Sequence, residues 1–418
     1  MKNLKSAPVI ITAVLLILAI AISAAVKRTN KKSAAKNTSA TVSEAENPNE
    51  IDKTLDDMRG IWVTYMDLNM QYENDKSETA FREKFAAIAA DCKSFGANTL
   101  IVQVRPFCDA LYDSKLFPPS HILSGTQGKS AGYDALQIIC DICKKFALKI
   151  HAWVNPYRVT ADDTPQKLSE DNPYIKDKSI GIETESGIIL DPSNPKARQL
   201  IEDGVKEIVE NYDVDGIQFD DYFYPEDIKD LDNSAYQSYL NSVPESSAMS
   251  LETWRKSNVD LLVSETYLTV HKSKKDVVFG ISPQGNLDNN EGLYADVASW
   301  CGKRGFIDYI CPQIYFSLDN PSLDFNTALN RWTSLEYSDS VRLYVGLAGY
   351  KAGSDADEGT WLNKNTILAE EYNILQKNNV KGFMLYSYAS LKSKDAQPEI
   401  KNLQNAVNGD QSDKTPSQ

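Results

Sequence analysis

Histidine is almost missing from this chain: three residues in 418, at His121, His151 and His271. Only His151 falls where a strand would aim it inward, so a three-histidine zinc centre is excluded and no metal site is expected. No Gly-x-Ser-x-Gly, phosphate-binding loop or His-Glu-x-x-His occurs, which removes nucleophile-elbow hydrolases, P-loop enzymes and zincins. Basic charge is also scarce. Lys and Arg total 44 against 58 Asp and Glu, a net of −14. Seven of the basic residues lie within residues 1–36, where no acid stands, so the remainder is more acidic still. Such a body is a poor partner for phosphate backbones, and no nucleic acid is expected.

Cysteine is sparse and scattered: Cys92, Cys108, Cys140, Cys143, Cys301 and Cys311. An even count in an exported protein allows disulfides. Cys140 and Cys143 form a C-x-x-C, but they lie mid-helix with no second pair at zinc-site spacing. Buried free thiols are the expectation.

Long apolar runs are absent except for one, Ala7 to Val26, preceded by Lys2 and Lys5 and followed by a basic cluster. About twenty apolar residues can span a bilayer core. No Cys stands at the end of the run, so a lipoprotein anchor is excluded. An uncleaved anchor is favoured over a cleaved signal peptide, and either would export the body. The expected organisation is an anchor or signal at 1–26, a flexible polar stalk at 27–57, a catalytic body at 58–408 and a polar tail at 409–418. With 42% hydrophobic and 24% charged residues, the body can bury a core.

Within that body, short apolar segments alternate with amphipathic ones. Strands are expected at 59–66, 98–106, 149–158, 216–222, 277–284, 308–316, 342–350 and 382–389. Helices are expected at 78–95, 134–147, 195–212, 251–273, 293–304, 323–336, 362–378 and 394–407. Eight strands alternating with eight helices predict an α/β fold, a single (β/α)8 TIM barrel. An open doubly wound sheet is weakened because no Gly-x-Gly-x-x-Gly follows the first strand.

Strand parity separates packing from chemistry. Leu100, Val102 and Val104 oppose Gln103 and Arg105. Ile150, Ala152 and Val154 oppose His151, Trp153 and Asn155. Ile217 and Phe219 oppose Gln218 and Asp220; Phe279 and Ile281 oppose Ser282 and Gln284. Ile310, Pro312 and Ile314 oppose Gln313 and Tyr315, and Phe383 and Leu385 oppose Tyr386 and Tyr388. A polar set at the C-terminal ends of barrel strands marks the face where barrel active sites sit.

The densest signal is Asp215-Gly-Ile-Gln-Phe-Asp-Asp-Tyr-Phe-Tyr-Pro225. Parity aims Asp220 into the lumen, and Asp221 opens the following loop. Glycosidic cleavage needs two carboxyl groups flanking an oxocarbenium-like transition state, and adjacent acids raise one another's proton affinity. Asp109, Asp67 and Glu291 lie at the same face as alternatives for the second acid. Trp62, Trp153, Tyr157, Tyr222, Tyr224, Tyr315, Phe316, Tyr386 and Tyr388 would supply the aromatic faces that sugar rings favour. Arg105 and Arg158 would grip an anionic substituent or orient a carboxylate. The stretch echoes the chitinase strand signature, but Tyr222 stands where that signature has its final acid.

Seven motifs occur in order: Arg59-Gly-Ile-Trp-Val63, Val104-Arg-Pro106 with Asp109-Ala-Leu-Tyr112, His151-Ala-Trp-Val-Asn-Pro-Tyr-Arg158, Ile189-Leu-Asp-Pro192, Asp213 through Pro225, Phe279-Gly-Ile-Ser-Pro283 and Asp308 through Tyr315. Together they resemble the glycosyl hydrolase-like 10 family of bacterial envelope proteins, over about residues 58–390. The resemblance implies an exported barrel hydrolase acting on peptidoglycan glycan strands, especially those stripped of stem peptides. It puts the acidic pair on Asp220 and Asp221, and further site residues on Arg105, Asp109, His151, Asn155 and Arg158. The chain departs from the pattern in having a membrane span instead of a lipobox, and Gln218 where many members have His.

The leading expectation is hydrolysis of a β-linked amino-sugar glycan without cofactor. Asp220 would be nucleophile or general base, and Asp221 or Asp109 the general acid. Substrate contacts are expected from Arg105, His151, Trp153, Asn155, Tyr157, Arg158, Tyr222, Gln284, Gln313, Tyr315 and Tyr386. The alternatives are a non-catalytic glycan-binding scaffold of the envelope and a hydrolase of another polysaccharide.

Overall fold

A computed structural model describes residues 55–225 and 228–409. The expected anchor, most of the stalk and the tail from residue 410 lie outside the described residues.

Eight strand positions form one parallel ring. They are β1 (Met58–Val63), β2 (Thr99–Arg105), β3 (Lys149–Val154), β4 (Gly216–Phe219), β5 (Val278–Ile281), β6 (Tyr309–Ile310), β7 (Arg342–Leu343 and Val345–Leu347) and β8 (Gly382–Leu385). Strand β7 is broken at Tyr344; its first piece pairs with β6 and its second with β8, and β8 returns to β1. The sheet therefore forms a nearly closed parallel barrel, consistent with the alternating pattern. The principal helices around it are α1 (Glu78–Phe95), α2 (Ala135–Lys145), α3 (Pro195–Asn211), α4 (Leu251–Ser273), α5 (Val297–Gly302), α6 (Phe325–Thr333), α7 (Ile367–Lys377) and α8 (Gln397–Asn408). Their starts follow capping chemistry: Ser77, Asp134, Asn194, Ser250, Asp296 and Asp324 each accept a backbone N–H in the first turn. All six cysteines are free and buried, Cys140 and Cys143 on the inner face of α2.

Several boundaries differ from the periodicity reading. The helix expected at 293–304 is confined to Val297–Gly302, and β6 is two residues long with an isolated bridge further on at Gln313. Strand β8 ends at Leu385 and a short helix begins at Tyr388, so Tyr388 turns away from the mouth and donates to Asp91 on α1 at 2.9 Å. Residues 55–57, expected in the stalk, belong to the body. Leu55 is buried and its carbonyl accepts from Tyr344 Oη at 2.7 Å, while Asp56 pairs with Arg342 at 2.8 Å. Two insertions escaped the reading. One lies between β3 and α3 and carries an antiparallel hairpin (Gly181–Thr184 with Gly187–Leu190); the other, between β4 and α4, carries the helix Asn233–Ser242.

The lumen is filled by unequal partners. Met58, Trp62, Ile101, Trp153, Tyr309, Cys311, Tyr344 and Met384 form one buried cluster inside the ring. Glycines on neighbouring strands make room for them. A Cβ at Gly216 would stand 2.7 Å from the His151 ring, and one at Gly280 would overlap the Tyr309 ring. Alternating large and small residues is how a closed barrel holds aromatic side chains without voids. Gly280→Ala is therefore predicted to destabilise the protein by about 1–3 kcal/mol through overpacking against Tyr309. Urea unfolding followed by tryptophan fluorescence measures it; an unchanged midpoint would refute this account of the lumen.

Candidate active site

Strand β4 carries the chemistry because the residue that directly follows it, on the lumenal side, is an aspartate. Asp220 is 4% exposed, and its Oδ2 accepts from Trp153 Nε1 at 2.9 Å and Asn155 Nδ2 at 3.1 Å. Both donors come from β3 and its continuation, whose register with β4 sets Trp153 beside Gln218. The other oxygen, Oδ1, is buried and has no hydrogen-bond partner among the described residues. Asp221 is held differently: Gln313 Nε2 donates to its Oδ1 at 3.0 Å, and Gln284 Nε2 to its Oδ2. Those two glutamines follow β6 and β5 and are joined by an isolated parallel bridge.

The pair opens into a cavity of about 260 Å³ lined by Trp62, Trp153, Gln218, Asp220, Asp221, Tyr222, Ser282, Gln284, Gln313, Tyr315, Tyr350 and Tyr386. Tyr315, Tyr350 and Tyr386 lie with ring centroids 5.7–5.8 Å apart, and Trp62 is 5.9 Å from Tyr386. Asp221, Tyr222 and Gln284 also border a wider groove of about 850 Å³, whose walls include Tyr157, Arg158, Asp162, Glu185 and Tyr224. Its far wall is the 159–194 insertion, tied to the strand extension by Leu190 N donating to Tyr157 O and an antiparallel bridge between Arg158 and Ile189.

Electrostatics distinguish the two acids. Burial pushes Asp220 up to about 7; the Arg158 charge and the Trp153 and Asn155 donors pull it down, and Asp221 pushes it up. Burial also raises Asp221, against its two glutamine donors and Arg158. Among the described residues, no group of three His, Cys, Asp or Glu side chains converges as a metal site.

Of the residues expected here, Asp220, Asp221, Trp153, Tyr222, Gln284, Gln313, Tyr315 and Tyr386 line the cavity, Asn155 holds Asp220, and Tyr157 and Arg158 line the groove. Three are placed elsewhere. The β2–β3 pairing shifts register between Gln103 and Arg105, and this irregularity turns Arg105 out of the lumen. Arg105 is buried over the Phe117 ring at 4.6 Å, against Gly204 of α3. Asp109 is fully buried behind the mouth, accepting from His121 Nδ1 at 3.1 Å and Gln127 Nε2 at 3.0 Å, because the short helix His121–Ser124 folds over it. His151 has the expected parity but sits too deep, with Nδ1 at 2.9 Å from Tyr309 Oη. Burial lowers it to about 3, so it is a neutral lumenal ring. Of the alternative acids, Asp67 caps the turn at Thr64 and Glu291 pairs with Lys256. Glu226 and Asp227 lie outside the described residues.

With this geometry in place, the chain can be set beside known proteins. The Glycosyl hydrolase-like 10 profile matches residues 57–363. The chain belongs to the glycosyl hydrolase-like 10 family. It is 32% identical over 357 residues to "Glycosyl hydrolase YngK" of Bacillus subtilis (strain 168), covering 80% of this chain and 69% of that protein. It is 31% identical over 340 residues to "Glycosyl hydrolase DigH" of Escherichia coli (strain K12), covering 73% and 76%. Among solved structures, the PgaB (BpsB) glycoside hydrolase domain from Bordetella bronchiseptica superposes with a TM-score of 0.55 at 11% identity, covering 83% of this chain and 99% of that one. A β-galactosidase from the psychrophilic Marinomonas ef1 gives 0.54 at 10% identity, covering 83% and 59%. At such identities the structures share the fold. This member of the family is a glycoside hydrolase.

Tyr350 and Ser282 complete the cavity of this family member. Tyr350 lies past the end of β7, in the short helical turn Gly349–Lys351, where strand parity no longer applies. Ser282 Oγ is buried without a partner among the described residues.

An acid held at about 7 has a measurable consequence. Unfolded aspartate titrates near about 3.9, so the folded state binds more protons between about 4 and 7, and stability falls as pH rises through that window. Asp220→Asn keeps the neutral shape and still accepts from Trp153 and Asn155. It is predicted to be at least about 1 kcal/mol more stable than wild type at pH 8, with the gap shrinking toward pH 4. Thermal melts at both pH values test this, and a variant that is equally or less stable at pH 8 contradicts it.

Proposed function

We propose that this glycoside hydrolase cleaves peptidoglycan glycan strands stripped of stem peptides, with Asp220 as proton donor and Asp221 as its ionised partner. The observation that carries the reading is the asymmetry of the pair. Asp220 is anchored through Oδ2, its Oδ1 is buried with no hydrogen-bond partner among the described residues, and the side chain lines a cavity rimmed by aromatics. Burial raises it to about 7, so it keeps its proton for a leaving oxygen near neutrality. Asp221 accepts N–H donors on both oxygens, and these work against the burial that raises it, supporting a charged form facing an oxocarbenium-like transition state. These roles exchange those expected from sequence. Aromatic faces beside hydrogen-bonding amides suit sugar rings, and the adjoining groove offers length for a chain.

The peptidoglycan assignment is supported by the family resemblance of the seven motifs. It is also supported by the Ala7–Val26 run, which would export the body to the compartment where that polymer lies.

Loss of a positioned general acid costs about 10²–10⁴ in rate. Purified Asp220→Asn is predicted to lose that much sugar release from peptide-free glycan strands, and wild-type kcat to fall as pH rises past the Asp220 titration near 7. Chromatography of released sugars is the assay; undiminished release by Asp220→Asn would remove it from the mechanism.

A further inference from the structure

Among the described residues lining the two cavities, Arg158 is the one cation. Its guanidinium carbon lies 4.1 Å from the centroid of the Tyr222 ring and 5.8 Å from that of Phe107. Its backbone is fixed on both sides. Arg158 N donates to Asn155 Oδ1 at 2.9 Å, and the residue bridges Ile189 of the hairpin. Arg255, Arg331 and Arg342 each grip an aspartate, but no carboxylate of the described residues stands within 4 Å of Arg158. The nearby acids have other donors: Trp153 and Asn155 on Asp220, Gln284 and Gln313 on Asp221.

A guanidinium laid on an aromatic face keeps its planar fork aimed, and its weak hydration makes it ready to exchange water for an anion. Carboxylates match that fork in bidentate geometry. The groove otherwise carries Asp162, Glu185 and Asp221 on a chain of net −14, so an anion would be unwelcome anywhere in it except at this point.

We infer that Arg158 anchors a carboxylate subsite, which holds an acid-bearing sugar ring in the groove beside the ring being cleaved. The inference rests on the reading of this cavity as a glycan-cleaving site. In a peptidoglycan strand the acid is the lactyl carboxylate of the muramyl residue, which a stem peptide converts to an uncharged amide. The subsite therefore demands that an amide-hydrolysing enzyme has acted first. A uronic acid would present the same chemistry.

The test uses the full-length protein and three probes: peptide-free glycan strands, the same strands with carboxylates converted to methylamides, and oligomers alternating N-acetylglucosamine with glucuronic acid. Wild type is expected to show kcat/KM about tenfold or more higher on the free-carboxylate strands than on the methylamides, as suits a charge-assisted hydrogen bond. Arg158→Gln should collapse that ratio to about two or less, mainly by raising KM, and Arg158→Lys should fall between. A melting curve on each variant separates lost contact from lost fold, and Arg158→Lys keeps the test valid if the glutamine variant does not fold. A ratio unchanged in the variants, or equal losses on both forms of the strand, would overturn the subsite while leaving the glycosidase reading intact. Arg158-dependent cleavage of the glucuronic acid oligomers alone would keep the subsite and move its source to a uronic acid. If wild type cleaves none of the three, the proposed function and this inference fall together.

Discussion

The active site depends on how one carboxyl group is held in a place that opposes its charge. Asp220 is nearly sealed from solvent, and only one of its oxygens has protein donors, from Trp153 and Asn155. Two N–H donors offset part of the desolvation, and the remainder appears as raised proton affinity. Below it, Trp62 donates to Gln218 Oε1 at 2.6 Å, and Gln218 donates to Tyr309 Oη, which also meets His151. This chain of neutral hydrogen bonds lets the lumen be polar without containing a second charge beneath the acid. A cation at His151 would draw Asp220 toward its ionised form, and burial keeps that ring neutral.

The glycines of the ring serve the same end. Large lumenal side chains on β3 and β6 exist because Gly216 and Gly280 leave them volume. The floor of the lumen is thereby packed, with Tyr344 closing it against Leu55, and the catalytic cavity opens at the C-terminal mouth. Tight packing below and an aromatic rim above follow from one alternation of side chains along eight strands.

That alternation is also what made the sequence legible. Parity along β3 to β6 and β8 placed Trp153, Asp220, Gln284, Gln313, Tyr315 and Tyr386 around one cavity without coordinates. It failed where its assumptions fail. A register shift in β2 reversed Arg105, which no residue-type pattern in Leu100–Arg105 announces. Parity gives a side, not a depth, so His151 and Trp153 read alike although one lies in the floor and the other in the mouth. Loops have no parity, so Asp109 could not be told from a mouth acid until the helix at His121 was seen to cover it. The 159–194 hairpin is short and mixed in polarity, which hides it from periodicity, and with it the far wall of the groove.

The most consequential feature of the architecture is the run from Trp153 to Arg158. The segment leaves the parallel sheet after Val154 and then pairs antiparallel with the hairpin at Ile189. Within it, Trp153 and Asn155 grip Asp220, while the Asn155 side chain also accepts from the Arg158 backbone. The amide of Asn155 thus joins two jobs: its N–H end fixes the acid and its oxygen fixes the backbone of the groove's arginine. Because Arg158 in turn lowers the proton affinity of both aspartates, a change in its surroundings is felt at the acid pair. A carboxylate arriving at Arg158 would cancel that effect and raise Asp220 toward its protonated form, the state a proton donor requires. The grip on the acid and the backbone of the groove's arginine are thus carried by a single hexapeptide.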